Sequence, residues 1–401
     1  MDIFIVYKED YPWDVRVEKL AKALTEAKYR VTIVARNLDQ KPIYESSGEF
    51  QIRRLPRFKS LPRLFQKLFN FPLWFNPVWI YTILKSINGA SDPVIIVRDL
   101  PLVRAATTIA RFRKAKVVFD MAEVYPEMYG SSAKYTNQSW FEKIIKSPSV
   151  AARYEKSVLP RVNHTIAMIE ESRDRLLAMG VPANAVTIVS NTPPIDKYNS
   201  QRHHHTGEIL RIVYVGFLTE LRGLDLLVEA TAHFIKKGYA KNTIQVDIVG
   251  KGASKKKLID MVQKLDIEES VRVHGWLSQD EVDELMRNAN VGALTYRVCG
   301  HWNHTIPNKI FDYMLAGIPV LATEVLPIQR IINETSCGVV CRDLDPADIA
   351  ERLEYLRDPA VRQALGECGY QAVQEKYNWE TDKQRLIEVV SNLHQHQRLP
   401  S

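Results

Sequence analysis

The stretch HTIPNKIFDYMLAGIPVLAT, residues 304–323, decides how the chain is read. Pro307 suits a first helical turn, where the N–H it lacks would be unpaired anyway. Thr305, just upstream, carries a hydroxyl able to cap a free N–H. Gly317 falls where a helix end favours positive φ, and Pro319 blocks continuation. Val320, Leu321 and Ala322 then read as a short buried strand. The spacing predicts a helix of about three turns over 307–316. Its free N–H groups and partial positive charge suit phosphate oxygens. Lys309 adds a full charge, with Asn308 beside it. Asp312, three residues beyond Lys309, shares its face and can accept hydrogen bonds from a ribose diol. The stretch has the parts to hold a nucleoside diphosphate. It equally suits an ordinary amphipathic helix of an α/β protein.

Working outward, strands and helices alternate. DIFIVY, RVTIVAR, PVIIVRD, AKVVFDM, HTIAMI and AVTIVSN are apolar runs of the buried parallel type, with DVRVEKLAKALTEAKY as a first amphipathic helix. TPPIDKYNSQRHHHTGE, rich in proline and polar residues, reads as a linker, and its adjacent histidines 203–205 read as a solvated loop. A second series follows, from LRIVYVGFL through IQVDIVGKG, VRVHGWL and VGALTY to the opening stretch, and the tail is helical. This order predicts two doubly wound α/β domains, 1–195 and 206–377. A ligand is expected at the carboxyl ends of the strands, in a cleft.

The chain has 401 residues, 46% hydrophobic and 25% charged, as in soluble globular proteins. Its first residues read as a strand rather than a signal peptide. The longest uncharged run, Leu68 to Leu84, is broken by Pro72 and Pro77, against a spanning helix. The four cysteines lack C-x-x-C spacing and are expected to be reduced thiols in a cytoplasmic protein, with Cys337 and Cys341 packing a strand. The net charge of +7 is unevenly spread: residues 51–120 hold 13 basic and 3 acidic side chains. Within them, Arg53, Arg54, Arg57, Lys59, Arg63 and Lys67 interleave with Leu61, Leu64, Phe65, Leu68, Phe69, Phe71, Trp74 and Phe75. Basic residues among bulky apolar ones describe a segment, 53–75, that docks on an anionic membrane; nucleic acid is the disfavoured rival, and a buried hairpin with a solvated basic face the structural alternative.

The order of these motifs resembles the bacterial family-four retaining glycosyltransferases, which have the GT-B fold. The resemblance covers essentially the whole chain and is strongest from Arg211 to Asp343. VYVGFLTELRGLDLLVEA resembles the family's strand, loop and helix beneath the donor diphosphate; VDIVGKG resembles the next strand and glycine turn; VRVHGWLSQDEVDELMRNANVGALTY resembles the nucleobase side; PNKIFDYMLAGIPVLAT resembles the donor-binding helix; and YNWE resembles the start of the tail helices, which would make 378–401 return to the N-terminal domain. The resemblance implies a donor site of Gly216, Phe217, Leu218, Arg222, Gly250, Trp276, Thr305, Asn308, Lys309 and Asp312. Asp312 would hold the ribose, while Arg222 and Lys309 would offset the diphosphate. It implies an acceptor side of Arg16, Asp120 and Glu123, with Glu123 counted among the catalytic residues beside Arg222 and Lys309. Arg16 faces either a diphosphate or a surface ion pair with Asp14 or Glu18.

Three positions depart from the family pattern. Phe217 stands where Arg is usual, Ala122 where His is common, and His304 where the first Glu of the donor motif is usual. The expected activity is transfer of a sugar, with retention, from a nucleotide sugar such as a UDP-sugar to a lipid-linked saccharide, in surface polysaccharide or glycolipid synthesis. The enzyme would sit peripherally on the inner face of the cytoplasmic membrane. No cofactor and no metal are expected, since two cations can offset the leaving diphosphate. Two alternatives remain: a non-transferring nucleotide-sugar-binding or assembly protein of the same fold, and a sugar-nucleotide epimerase.

Overall fold

Segments buried on both faces form parallel strands, and the apolar runs of the sequence do so here. The computed structural model describes residues 1–12, 14–135, 139–198 and 207–395; the histidines 203–205 and the tail residues 396–401 lie outside them. The first half runs β1 (Asp2–Asp10), α1 (Val15–Glu26), β2 (Arg30–Arg36), β3 (Tyr44–Ser46), β4 (Gln51–Arg54), α2 (Arg63–Asn70), α3 (Pro77–Ile87), β5 (Pro93–Arg98), α4 (Val103–Arg113), β6 (Lys116–Met121), α5 (Tyr125–Tyr135), α6 (Trp140–Ile145), α7 (Pro148–Val158), β7 (His164–Ala167), α8 (Glu170–Ala178) and β8 (Val186–Ile188). The second runs β9 (Leu210–Val215), α9 (Leu224–Lys236), β10 (Ile244–Val249), α10 (Lys255–Lys264), β11 (Val271–Val273), α11 (Gln279–Asn288), β12 (Val291–Leu294), α12 (Gly300–Asn303), α13 (Lys309–Leu315), β13 (Val320–Thr323), α14 (Leu326–Thr335), β14 (Gly338–Cys341), α15 (Pro346–Tyr355), α16 (Pro359–Glu375) and α17 (Trp379–Gln395).

Two compact units result. One comprises Met1–Met128, Ile144–Asn191 and the chain from Asp382; the other comprises Tyr129–Lys143 and Thr192–Thr381. Residues 129–143, placed in the first domain from the sequence, go with the second, where the Ser131 hydroxyl accepts the His301 N–H at 3.0 Å. Among the described residues, the first sheet has the order β3-β4-β2-β1-β5-β6-β7-β8 and the second β11-β10-β9-β12-β13-β14. All neighbours are parallel except β3 and β4. In the first unit, Ile3, Ile5 and Val6 of β1 and Val17, Leu20 and Leu24 of α1 are buried. The Asp14 carboxylate starts α1 by accepting the N–H groups of Arg16 at 2.8 Å and Val17 at 3.2 Å. From the tail, Lys383 pairs with Glu26 of α1 at 2.5 Å. Cys337 and Cys341 are buried, and burial pushes the Cys337 thiol up to about 11.

The basic segment divides in two, which corrects the single patch expected from its sequence. Arg53 and Arg54 lie on β4, inside the sheet between β3 and β2, and are 9% and 1% exposed. Arg54 pairs with Glu45 at 2.7 Å and donates to the Pro42 and Tyr11 carbonyls. Arg57, Lys59, Arg63 and Lys67 are exposed, as are Leu64 (75%), Phe65 (47%), Leu68 (59%) and Phe75 (56%). The turn after α2 is held by the Asn76 amide, which donates to the carbonyls of Leu68, Phe69 and Phe71. The Arg104 guanidinium lies 4.9 Å from the Trp74 ring centre. No described helix is long and apolar enough to cross a membrane.

In the second unit, α13 lies directly on β12. A Cβ at Gly292 would stand 2.3 Å from the Tyr313 ring, so only glycine lets that ring close on the strand. Gly292→Ala is expected to cost about 2 kcal/mol, or more where the ring cannot shift. Chemical denaturation of the two proteins side by side checks it, and equal midpoints would contradict it.

Candidate functional site

At the end of β9 the chain turns through Gly216. A Cβ there would meet Lys309 Cε at 2.9 Å and the Tyr214 hydroxyl at 3.0 Å, so the lysine stem lies over a bare backbone. The turn after β10 closes on the same place from below: a Cβ at Gly250 would stand 1.8 Å from the Gly216 carbonyl oxygen, and one at Gly252 would stand 2.1 Å from that of Leu218. The two turns are tied by Gly216 N–H to the Val249 carbonyl and Leu218 N–H to that of Lys251, both at 2.9 Å. Leu218 is buried and Phe217 is 52% exposed, its carbonyl accepting the Tyr214 hydroxyl at 2.9 Å. The next turn, after β11, joins through the Gly275 carbonyl, which accepts Gly250 N–H at 3.0 Å. Beside it Trp276 is 72% exposed, with Lys251 Nζ 4.7 Å from its ring centre. Three strand ends thus form one edge that carries Lys309, a flat exposed indole and uncovered backbone.

Arg222 sits at the far end of the β9 turn, in a setting that sequence reasoning missed. Its guanidinium lies 4.6 Å from the Tyr296 ring centre and 4.4 Å from that of Trp302, and it donates to the Tyr296 hydroxyl. Gly223 follows at φ 60, and a Cβ there would strike the Thr295 carbonyl oxygen at 1.9 Å. The Leu221 carbonyl accepts both the Trp302 indole N–H at 3.0 Å and the Arg297 N–H at 3.1 Å. Arg297 in turn pairs with Asp225 of α9 at 2.7 Å. The segment after β12 therefore grips the Arg222 turn at several points. Its signal in the sequence was the run TYRVCGHWNH, dense in aromatics and histidines directly after a strand. His301 lies 4.4 Å from the Trp302 ring. Burial, with Arg222 beside it, pushes its imidazole down to about 4, so it is neutral near pH 7.

Helix α13 has two turns rather than three. Asn308 caps it without a side-chain bond and is exposed, while Thr305 and Pro307 are buried ahead of it, so Thr305 packs rather than caps. Ile310, Phe311, Tyr313, Met314 and Leu315 are buried. Lys309 and Asp312 are half-buried, His304 likewise, and Gly317 ends the helix at φ 71.

In the first unit Arg16 is neither a phosphate ligand in waiting nor a surface ion. It is 2% exposed and bonds Asp120 of β6 at 2.6 Å, with a further bond to the Ser190 carbonyl at 3.2 Å. Asp120 is fully buried and also lies 3.9 Å from Arg98, which pairs with Asp14 at 3.0 Å and Asp99 at 3.2 Å. Arg16 and Asp120 thus neutralise one another beneath the strand ends. Glu123, two residues past the end of β6, is half-buried.

Two parallel α/β units of this topology, each with its candidate residues at the carboxyl ends of strands, define the GT-B class of glycosyltransferase folds. Over 99% of this chain and 100% of its own, sucrose-phosphate synthase from Thermosynechococcus elongatus superposes with a TM-score of 0.75 at 18% identity. The HepE protein of Anabaena, solved in complex with UDP, does so over 98% and 99% with a TM-score of 0.71 at 13% identity. Residues 14–192 match the glycosyl transferase 4-like domain and residues 197–372 the glycosyl transferases group 1. The chain belongs to the family-four glycosyltransferases. It is 24% identical over 226 residues to the amylovoran biosynthesis glycosyltransferase AmsK of Erwinia amylovora, covering 55% of this chain and 54% of that one. It is 24% identical over 180 residues to the putative colanic acid biosynthesis glycosyltransferase WcaL of Escherichia coli, covering 45% and 44%. These matches span about half the length of the curated relatives.

His301 makes stability depend on pH with a definite sign. Its ordinary value is 6.5 and its folded value about 4. Between these the unfolded chain binds a proton that the folded chain does not, so stability falls as pH drops from 6.5 to about 4 and then levels. The full span is on the order of 3 kcal/mol. His164, likewise held near 4 by burial, acts in the same direction. Urea denaturation of wild type and His301→Gln at pH 7 and pH 5 is expected to show a smaller acid loss in the variant; equal losses would contradict this.

Proposed function

We propose that this protein is a glycosyltransferase that moves a sugar, with retention, from a nucleotide-sugar donor to a lipid-linked saccharide in surface polysaccharide or glycolipid synthesis. The observation that carries the donor assignment is the passage of Lys309 over the bare backbone of Gly216, on the edge that also holds the Gly250 turn and the exposed Trp276. A diphosphate at that edge meets Lys309 and, at the other end of the β9 turn, Arg222. The two basic side chains offset the charge that grows on the leaving diphosphate. No metal is called for in this scheme. Asp312, one turn along α13 from Lys309, takes the ribose hydroxyls, and Trp276 offers a face to the base. The leaving phosphate takes the acceptor proton as the acceptor oxygen attacks on the donor's front face, so no dedicated base is needed. Glu123 remains the candidate for orienting the acceptor, while Arg16 and Asp120 support the strand ends behind it. HepE is solved in complex with UDP and with UDP-glucose, and AmsK and WcaL are named for amylovoran and colanic acid biosynthesis; both favour this donor and acceptor class.

Lys309→Ala is expected to weaken UDP or GDP binding about tenfold, since one charge-assisted contact contributes about 1.5–3 kcal/mol. Calorimetric titration of the folded variant checks it, and unchanged affinity for both nucleotides would remove Lys309 from the site. Sugar transfer, release of an epimerised sugar nucleotide, or no reaction from UDP-sugars with a lipid-linked acceptor separates transferase, epimerase and non-transferring binder.

Membrane docking is assigned to the exposed part of 53–75: Arg57, Lys59, Arg63 and Lys67 with Leu64, Phe65, Leu68 and Phe75. A helix with this much uncovered apolar surface among cations fits an anionic lipid surface better than water. Each such cation contributes about 1 kcal/mol near that surface. Replacing the four by Ser is expected to release the protein from phosphatidylglycerol vesicles at low salt, and added salt to do the same in wild type. Wild-type protein that does not float with such vesicles at low salt would sink the assignment.

A further inference from the structure

Two adjacent arginines on β4 point to opposite faces of the first sheet and meet different surroundings. Side chains alternate along a strand, and residues paired across a ladder share a face. Arg54 turns to the face of Glu45, which takes it at 2.7 Å, and the Pro42 and Tyr11 carbonyls accept its other N–H groups. Arg53 lies on the other face with Gln51 of its own strand. Tyr44 and Ser46 of β3 stand opposite these two, and Thr32 of β2 stands opposite Gln51. Together with Ser86 of α3 these side chains line a cavity of about 400 Å³, within the size range of small-ligand sites.

Arg53 is 9% exposed, yet among the described residues its side chain forms no hydrogen bond and no ion pair, and its Nε is buried without a partner. Its guanidinium lies 5.1 Å from the Tyr44 ring centre. An aromatic face attracts the cation and takes no in-plane hydrogen bond from it. A buried cation without a counter-charge is costly to fold around. Arg16, Arg54 and Arg98 of the same unit all meet carboxylates; Arg53, which lines the cavity, does not. Glu45 also lines the cavity, but its carboxylate is engaged by Arg54.

The neighbouring polar groups are placed to serve an anion. Among the described residues the Thr32 hydroxyl and the Gln51 amide have no hydrogen-bond partner, and the Ser46 oxygen accepts the Gly48 N–H at 3.4 Å, which leaves its proton uncommitted. Donors thus come from three strands around one planar fork. A phosphate monoester offers three oxygens in tetrahedral array and can meet them together, whereas a carboxylate offers two in a plane.

We propose that this cavity at the β3–β4 edge binds a phosphate monoester, with Arg53 holding the phosphate and Thr32, Ser46 and Gln51 completing its shell. The site belongs to the first unit, whereas Lys309 and Asp312 belong to the second, and it does not rest on the donor assignment. The chain runs on from Arg53 into the exposed basic segment, so a soluble phosphate ester and a lipid headgroup are two sources of the same group.

The test is calorimetric titration of the full-length protein with inorganic phosphate and with glycerol phosphate. Wild type is expected to bind both. Arg53→Gln is expected to weaken binding about tenfold, the loss of one charge-assisted contact. Arg111→Gln, which removes an equal charge from an exposed position on α4, is expected to bind as wild type does. Binding that survives Arg53→Gln, or that falls equally in Arg111→Gln, overturns the proposal. If Lys309→Ala abolishes binding and Arg53→Gln does not, the phosphate lies in the donor site: the proposal falls and the donor assignment stands. If Arg53→Gln does not fold, the Thr32→Val and Ser46→Ala double variant decides: a loss of about threefold or more supports the site, and a smaller one overturns it. Flotation separates the sources. A preference for phosphatidic acid over phosphatidylglycerol vesicles that disappears in Arg53→Gln assigns the site to a lipid headgroup. Arg53-dependent binding of glycerol phosphate without that preference assigns it to a soluble ester. Wild type that shows neither overturns the proposal.

Discussion

A carbonyl oxygen less than 2 Å from where a Cβ would stand leaves room for hydrogen alone, and this constraint organises the candidate donor site. Gly250 sits under the Gly216 carbonyl and Gly223 against that of Thr295. Because these backbones touch, the turns after β9, β10 and β12 form a single edge rather than three loose loops. Because Gly216 has no side chain, Lys309 crosses it. Gly292 does the same for α13 by letting Tyr313 close on β12. Four absent side chains thus set where one cation, one helix and one strand edge meet.

Carboxylates and aromatic rings both hold buried cations in this protein. In the first unit, Arg16 is matched to Asp120, and Arg98 to Asp14 and Asp99. Such pairs lock strand ends and the start of α1 together, and removing one partner strands the other in low dielectric at about 3–5 kcal/mol. In the second unit, Arg222 lies against the aromatic faces of Tyr296 and Trp302, while Arg297 nearby pairs with Asp225. The acid-rich edge suits structure and hydroxyl groups; the edge with Lys309 and Arg222 suits phosphate.

The exposed apolar residues of α2 follow the same economy of placement. A short helix anchored through Asn70, whose side chain accepts the Asn37 N–H at 2.9 Å, and through the Asn76 amide keeps Leu64 and Leu68 uncovered beside Arg63 and Lys67. The core does not need those side chains, since Trp79 of α3 is buried in their stead. The proposed docking on an anionic lipid surface uses this exposure.

Much was legible in the sequence because it depends on local pattern. Continuous apolar runs between turn residues gave the parallel strands, the alternation with amphipathic helices gave two doubly wound units, and the glycines after the strands marked the turns that need them. Lys309 and Asp312 could be placed on one face by helical spacing alone. What the sequence left open depended on partners distant in the chain. Whether Arg16 faces a ligand or a carboxylate turned on Asp120, 104 residues away. Arg53 and Arg54 read as surface charge until β3 and β2 enclosed their strand. The box around Arg222 joins residues 74 positions apart, which no periodicity records. Period and turn chemistry act between neighbours and are written in the sequence; the burial of a charge and the partner that offsets it arise only when the sheet brings strand ends together.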